Sequence, residues 1–227
     1  MLKLDGLKSV AFGRRGPFWL YGQGVDEPTC TRRLVKVYGH GEQGHLAGAQ
    51  KEYELFDELS ELGCLLPCVR WHRGKGQAAL VFDLSDRVSL RQSLPIGGSD
   101  TAAFLNIARA ICVALAGLHK QGRFLGYVTP DDIFLTPDQR EACFASLYFS
   151  NPSSNTAAIS EALCQDSQAA VYLTPELTGR TELPVGLHTD LYSLGVIFFE
   201  VLGGQPPFVA AFFEDIPYAH IAIAAPV

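Results

Sequence analysis

The chain has 227 residues, 48% hydrophobic and 19% charged, a composition that supplies a full core and excludes a disordered polypeptide. Its formal charge of −6 excludes nucleic acid as an obligate partner, because phosphate contacts need concentrated Lys and Arg. The asymmetry is sharper still: residues 181–227 hold five acids and neither lysine nor arginine.

The six cysteines include one close pair, Cys64 and Cys68, without a second pair or a His cluster at zinc-site spacing. Reduced, mostly buried thiols are the expectation, not a metal or disulfide framework. The N-terminus lacks the apolar core of a signal peptide, and the apolar run 191–202 is broken by Ser193, Gly195 and Glu200 and too short to cross a bilayer. No membrane span and a cytoplasmic location are therefore expected.

Three short antiparallel strands open the chain at Ser9–Gly13, Phe18–Gly22 and Arg32–Tyr38, read from β-branched and aromatic residues set between turn signals. From Leu46 to Leu62 the apolar positions Leu46, Ala49, Tyr53, Phe56 and Leu59 recur at helical spacing, and Gly63 is placed to stop the helix. Two further strands follow at Val69–Arg73 and Gln77–Leu84, around the turn Gly74-Lys75-Gly76. A long helix is predicted over Thr101–Lys120, where Phe104, Ile107, Ala108, Ile111, Leu115 and Leu118 hold a period near 3.6, with Gly122 ending it. Ser150–Gln168 is polar and rich in small residues, as mobile segments are. The last strong pattern is a helix over Thr189–Leu202, apolar on nearly every side and so expected to be buried all round.

Three sequence blocks then carry a family resemblance: Val171-Tyr172-Leu173-Thr174-Pro175-Glu176-Leu177-Thr178-Gly179-Arg180, His188-Thr189-Asp190-Leu191-Tyr192-Ser193-Leu194-Gly195-Val196, and Gly204-Gln205-Pro206-Pro207-Phe208. In order and wording they resemble the C-lobe of eukaryotic-type Ser/Thr protein kinases. The wording is most similar to the kinase-like module at the front of large signalling proteins that also carry an ATPase module and a sensor histidine kinase. The resemblance covers about Val10 to Ala222. It implies an α+β, bilobal fold: a small antiparallel sheet and one helix as N-lobe over 1–84, and a helical C-lobe over 85–227 that stops before the family's last helices.

The resemblance also assigns roles. Lys36, in Arg33-Leu34-Val35-Lys36, stands at the lysine that contacts the α- and β-phosphates, and Glu52 at the helix glutamate that pairs with it. Phe82 takes the gatekeeper position, Asp83 opens the hinge, and Ser89–Leu94 resembles the short helix beyond it. Ala11-Phe12-Gly13-Arg14-Arg15-Gly16 fits the phosphate-covering loop only with its first glycine replaced by Ala11, and a plain hairpin turn is the alternative. Leu34 and Phe134 would sit above and below a purine ring, and their added volume is expected to narrow or fill the slot. Pro175, Glu176, Asp190 and Gly195 match structural positions. Glu176 lacks its usual basic partner, because no Lys or Arg follows Arg180, so it is expected to be solvated, protonated or paired outside the chain. Asp190 is expected to accept backbone N–H groups around Leu125–Tyr127.

The reactive positions are changed. Pro130, Ile133 and Leu135 set a register in which the catalytic aspartate is Tyr127, the neighbouring lysine is Thr129 and the metal-binding asparagine is Asp132. A tyrosine with a pKa of about 10 stays protonated near neutrality and is a poor general base. The Asp-Phe-Gly motif falls on Ala145-Ser146-Leu147, which removes the main Mg²⁺ ligand. Asp132 and Asp131 remain as carboxylates for a cation or, equally, as a turn cap. The implied function is a pseudokinase serving as a regulatory or protein-interaction module. Its partner would be another protein or downstream domains, and no cofactor is implied: ATP without metal stays open, through stacking on Phe134, and Mg²⁺ is disfavoured. The alternative is an ATP-dependent Ser/Thr kinase with unconventional catalytic residues.

Overall fold

The computed structural model describes residues 4, 6–15, 18–39, 43–74, 76–94, 98–150, 163–164, 170–209 and 215–226. Strands β1 (Leu7–Arg15), β2 (Trp19–Asp26), β3 (Arg32–Tyr38), β4 (Cys68–Gly74) and β5 (Gln77–Asp83) form one antiparallel sheet in the order β1-β2-β3-β5-β4. Helix α1 (Gln43–Glu58) lies between β3 and β4 in sequence and packs on β5, β4 and β3. The second half holds a small sheet of β6 (Val88–Ser89), β7 (Ile133–Leu135) and β8 (Ala142–Phe144). The helices that can be bounded among the described residues are α2 (Leu90–Ser93), α3 (Thr101–His119), α4 (Leu187–Gly203) and α5 (Ile216–Ala222), with a 3₁₀ turn at Pro175–Thr178. This is the α+β, two-lobed kinase-like architecture expected from the sequence.

Strand alternation divides the N-terminal sheet into two faces. Val35, Val37, Ala79 and Val81 form a small buried cluster on one side with Leu4, Leu7 and Val10. On the other side Leu34, Lys36 and Tyr38 stand in register with Gln23, Tyr21 and Trp19 of β2 and with Phe82, Leu80 and Ala78 of β5. That second face joins the main core. Ala49, Glu52, Phe56 and Leu59 are the buried positions of α1 and its following turn, so a charged residue sits in phase with an apolar stripe.

Several boundaries differ from the predicted ones for identifiable reasons. β2 continues through Asp26 because its register with β3 runs unbroken from Trp19↔Tyr38 to Val25↔Arg32. Helix α1 ends at Glu58, and Leu59–Leu62 closes as turns, so Gly63 is not its stop. Helix α3 ends at His119, capped by Lys120, and Gly122 adopts a left-handed φ of 67° two residues beyond that cap. Ala11–Arg15 lies within β1, paired to β2 with two register shifts, while Gly16 falls outside the described residues. Most of Ser150–Gln168 also lies outside them.

The cysteine expectation needs correction. All six are free thiols, but only Cys64 and Cys143 are buried, while Cys68 and Cys164 are half-buried and Cys30 and Cys112 exposed. Helix α3, which the periodicity identified as amphipathic, is also long and apolar enough by length and composition to cross a membrane. In the fold it serves as a core helix, burying Ile107, Ala110, Ile111, Ala114, Leu115 and Leu118, and Phe104 meets Phe198 of α4 edge to face at 5.7 Å.

Candidate functional site

Lys36 and Glu52 meet where the second face of the sheet covers α1. Nζ of Lys36 donates to Glu52 Oε1 at 2.7 Å and to Ser146 Oγ at 2.8 Å, and both charged side chains are 0% exposed. Glu52 also accepts the Leu147 N–H at 2.7 Å and the Tyr38 hydroxyl. Aromatic rings close the remaining approach to the ammonium. Nζ lies 3.8 Å from the centroid of the Trp19 ring, within cation–π range, with the Tyr21 and Tyr38 rings at 5.7 and 5.6 Å. Burial pulls the Lys36 pKa down, opposed by the charges of Glu52 and Asp132. The same burial, reinforced by Glu52, pushes Tyr38 well up, so its hydroxyl remains a donor.

Tyr21 ties this cluster to the second lobe. Its hydroxyl donates to Asp132 Oδ1 at 2.7 Å and approaches the Ala145 carbonyl at 3.4 Å. Burial, followed by Asp132, raises its pKa well above the ordinary value and keeps it protonated. Asp132 uses its other oxygen on Thr129, accepting the backbone N–H at 2.9 Å and Oγ1–H at 2.8 Å. Both carboxylate oxygens are thus engaged by protein donors, in a turn cap. Thr129 acts as that cap's partner, and Ala145 offers a methyl group. These residues do not fit a Mg²⁺ ion, which needs octahedral oxygen donors free to face it. Tyr127 is buried too, its ring edge-on to Phe149 at 5.5 Å, so the position of the family's base is part of the aromatic packing.

The other nucleotide-binding candidates separate. Phe82 is fully buried and turned toward Phe56, 4.9 Å away edge to face, and Asp83 forms an ion pair with Arg33 at 2.8 Å. Neither is among the described residues that line the cavity between the lobes, although Phe82 is paired with Leu34, which does line it. Phe134 and Leu34 do line it, but they do not fill it: a cavity of about 310 Å³ remains. Of the two expected outcomes, narrowing or filling, the slot is not filled, and Leu34 and Phe134 are themselves buried at 2% and 1% exposure.

The structural positions lie in the second lobe. Asp190, at the start of α4, accepts the N–H of Leu125 at 2.9 Å and of Gly126 at 2.7 Å, and its Oδ2 lies 2.7 Å from His119 Nε2. Burial raises the Asp190 pKa, against the lowering by His119 and the two N–H groups. Pro175 opens the 3₁₀ turn, which Gly179 ends at a φ of 69°. Gly195 sits mid-helix on the exposed side of α4, with open space where a Cβ would stand. Of the three states expected for Glu176, solvated, protonated or paired outside the chain, its burial excludes the first. Its Oε1 lies 3.3 Å from Nε2 of His188 in the first turn of α4, while its buried Oε2 has no hydrogen-bond partner.

Sequence reasoning missed Trp19, Tyr21, Tyr38 and Ser146. The signal was present in part: Trp19-x-Tyr21 and Lys36-x-Tyr38 alternate with period two on antiparallel neighbours, which puts all four on one sheet face. It also missed Arg91, whose guanidinium reaches Glu200, the Tyr172 hydroxyl and Asp131, joining α2 to α4 across the catalytic-loop segment.

No family model matches the chain. Over 149 residues, 61% of this chain and 6% of the relative, it is 29% identical to the peroxide stress-activated histidine kinase mak3 of Schizosaccharomyces pombe. Over 55 residues, 24% of this chain and 2% of the relative, it is 47% identical to hybrid signal transduction histidine kinase G of Dictyostelium discoideum. A third stretch of 180 residues, 74% of this chain and 22% of the relative, is 29% identical to the probable leucine-rich repeat receptor-like protein kinase IMK3 of Arabidopsis thaliana. The chain spans under a quarter of the length of each relative. All three similarities are to proteins named as kinases, so by sequence the chain is kinase-related.

Proposed function

We propose that this chain is a kinase-like signalling module that has lost phosphotransfer and works in the cytoplasm by contact, with another protein or with further domains of a larger polypeptide. The observation that carries the reading is the enclosure of Lys36 by Trp19 and Tyr21, at 0% side-chain exposure, in the place where a phosphate-contacting lysine must be open to its ligand. Tyr127 and Ala145 support it, since neither takes a proton nor holds a metal at neutral pH. The names of two relatives, a histidine kinase of peroxide stress and a hybrid signal transduction histidine kinase, support a signalling context.

The test is transfer of labelled γ-phosphate from ATP and Mg²⁺ to the chain itself and to a generic protein substrate. Wild type and Tyr127→Asp are both expected to give background counts, because Ala145 still lacks the metal ligand. Transfer by wild type, or gained by that one substitution, contradicts the reading.

A further inference from the structure

The two lobes also meet along β8, where the fold sets two thiols side by side. Leu65 and Phe144 form a parallel bridge: the Phe144 N–H donates to the Cys64 carbonyl at 2.9 Å, and the Leu66 N–H donates to the Phe144 carbonyl at 3.0 Å. One step back along both chains, Cys64 and Cys143 are therefore lateral neighbours. Paired strands lie about 4.8 Å apart, within the Cα separation of about 4.4–6.8 Å that a disulfide spans. The side chains agree with this placement. Cys143 Sγ donates to the carbonyl of Gly63, the residue before Cys64, at 3.3 Å. Cys68, the nearer cysteine in sequence, instead opens β4 and turns its Sγ toward the Arg70 carbonyl at 3.8 Å.

Cys64 precedes β4 in the first lobe, and Cys143 is the middle residue of β8 in the second, so a bond between them would cross the lobes. Just beyond β8 come Ser146, which accepts from Lys36, and Leu147, whose N–H donates to Glu52. The tie would brace the joint that holds the Lys36 cluster. Both thiols are buried, but their cover is thin: Gly63 is exposed, with open space where its Cβ would stand. A small oxidant needs only a local opening of that turn. Burial raises the pKa of each thiol. For Cys64 the neighbouring Cys143 adds to the rise, while for Cys143 the Arg87 guanidinium opposes it and Glu141 adds to it. Attack is accordingly slow near neutrality and faster as pH rises.

We propose that Cys64 and Cys143 form a reversible disulfide, an oxidant-controlled tie between the lobes, when the chain meets hydrogen peroxide. The Cys64 thiolate attacks one peroxide oxygen, the O–O bond breaks, and the other oxygen takes a proton and leaves as water, with a sulfenic acid on Cys64. Cys143 Sγ then attacks that sulfur. The S–O bond breaks, and the hydroxide leaves as a second water with the Cys143 proton. Two thiols and one peroxide thus give one disulfide and two waters, the sulfurs giving up two electrons and the peroxide gaining them. In a reducing compartment such a bond is transient. The inference goes beyond the proposed function and holds whether or not phosphate is transferred.

Peptide mapping tests it on the full chain, treated folded with hydrogen peroxide, blocked with an alkylating agent and digested without reduction. A linked Cys64–Cys143 peptide is expected, formed about tenfold faster per pH unit in the neutral range and removed by dithiothreitol. Oxidation of the exposed Cys30 and Cys112 without that link, or a link from Cys64 to Cys68, overturns the proposal. A rate flat in pH overturns the thiolate route. The oxidised chain should also unfold several degrees above the reduced one, and Cys143→Ala should cancel the difference. Should that variant lose its folded circular dichroism, Cys64→Ser supplies the same control. A linked protein with an unchanged unfolding midpoint contradicts the tie.

Discussion

An ammonium group removed from water costs several kcal/mol unless its charge is matched, and Lys36 is matched by Glu52, Ser146 and the Trp19 face. Breaking such a pair costs more than replacing it whole. Lys36→Met, which strands the Glu52 carboxylate, is expected to lower unfolding free energy by about 3–5 kcal/mol, and Lys36→Met with Glu52→Gln to recover a substantial part. Urea denaturation of the two variants checks this, and a single variant within about 1 kcal/mol of wild type would contradict it. His220 gives a pH signature. It is buried against Phe208, with Nδ1 2.9 Å from the Tyr192 hydroxyl, and burial lowers its pKa from 6.5 to about 4, against the backbone of Ala170 and Val171. A depressed folded pKa means that the unfolded chain takes up the proton first as pH falls. The contribution is therefore fully present above pH 6.5 and lost toward pH 4, at most about 3 kcal/mol. His220→Gln should flatten that part of the stability–pH curve; equal slopes for both proteins would sink the assignment.

At the scale of elements, β2 couples the two lobes. One face of it carries Trp19 and Tyr21, and Tyr21 reaches Asp132 across 111 residues of sequence. The segment that receives it is held by Gly126, whose φ of 77° and 2.7 Å approach of a would-be Cβ to the Phe149 carbonyl leave no room for a side chain. Gly126→Ala is expected to cost at least about 2 kcal/mol, and thermal unfolding at unchanged midpoint would contradict this. The five strands of the first sheet, α1 and α3 were legible in the sequence because periodicity reports which face is buried, whereas α4, apolar on nearly every side and expected to be buried all round, leaves Leu191 and Leu202 exposed. Partners across the chain were less so. Alternation puts Tyr21 on the face of Lys36 but cannot say whether a ligand or a tyrosine fills the space before it. Likewise a search for Lys or Arg missed His188 as the neighbour of Glu176, because imidazole is a weaker match to a carboxylate and sits on the adjoining helix. Phe82 was placed by family analogy in the cleft, whereas it packs edge to face on Phe56 of α1.

On the scale of the whole molecule, several large apolar side chains of the second lobe are exposed. Leu187 and Leu191, one helical turn apart on α4, are exposed, as are Leu202 and, on or next to α5, Tyr218, Ile221 and Ile223. Apolar side chains of this kind mark an interaction surface or an aggregation hazard. The isolated chain is expected to self-associate as concentration rises in sedimentation velocity, with Leu187→Glu and Leu191→Lys together shifting it toward monomer. A monodisperse wild type at high concentration would show that this surface needs no cover. In this kinase-like fold Lys36 is sealed, and both Asp132 carboxylate oxygens are taken by Tyr21 and Thr129. Thermal unfolding in a titration with ATP, with and without Mg²⁺, reads both features at once. The midpoint is predicted to be indifferent to Mg²⁺ at every ATP concentration, and a Mg²⁺-dependent rise of several degrees would contradict the account.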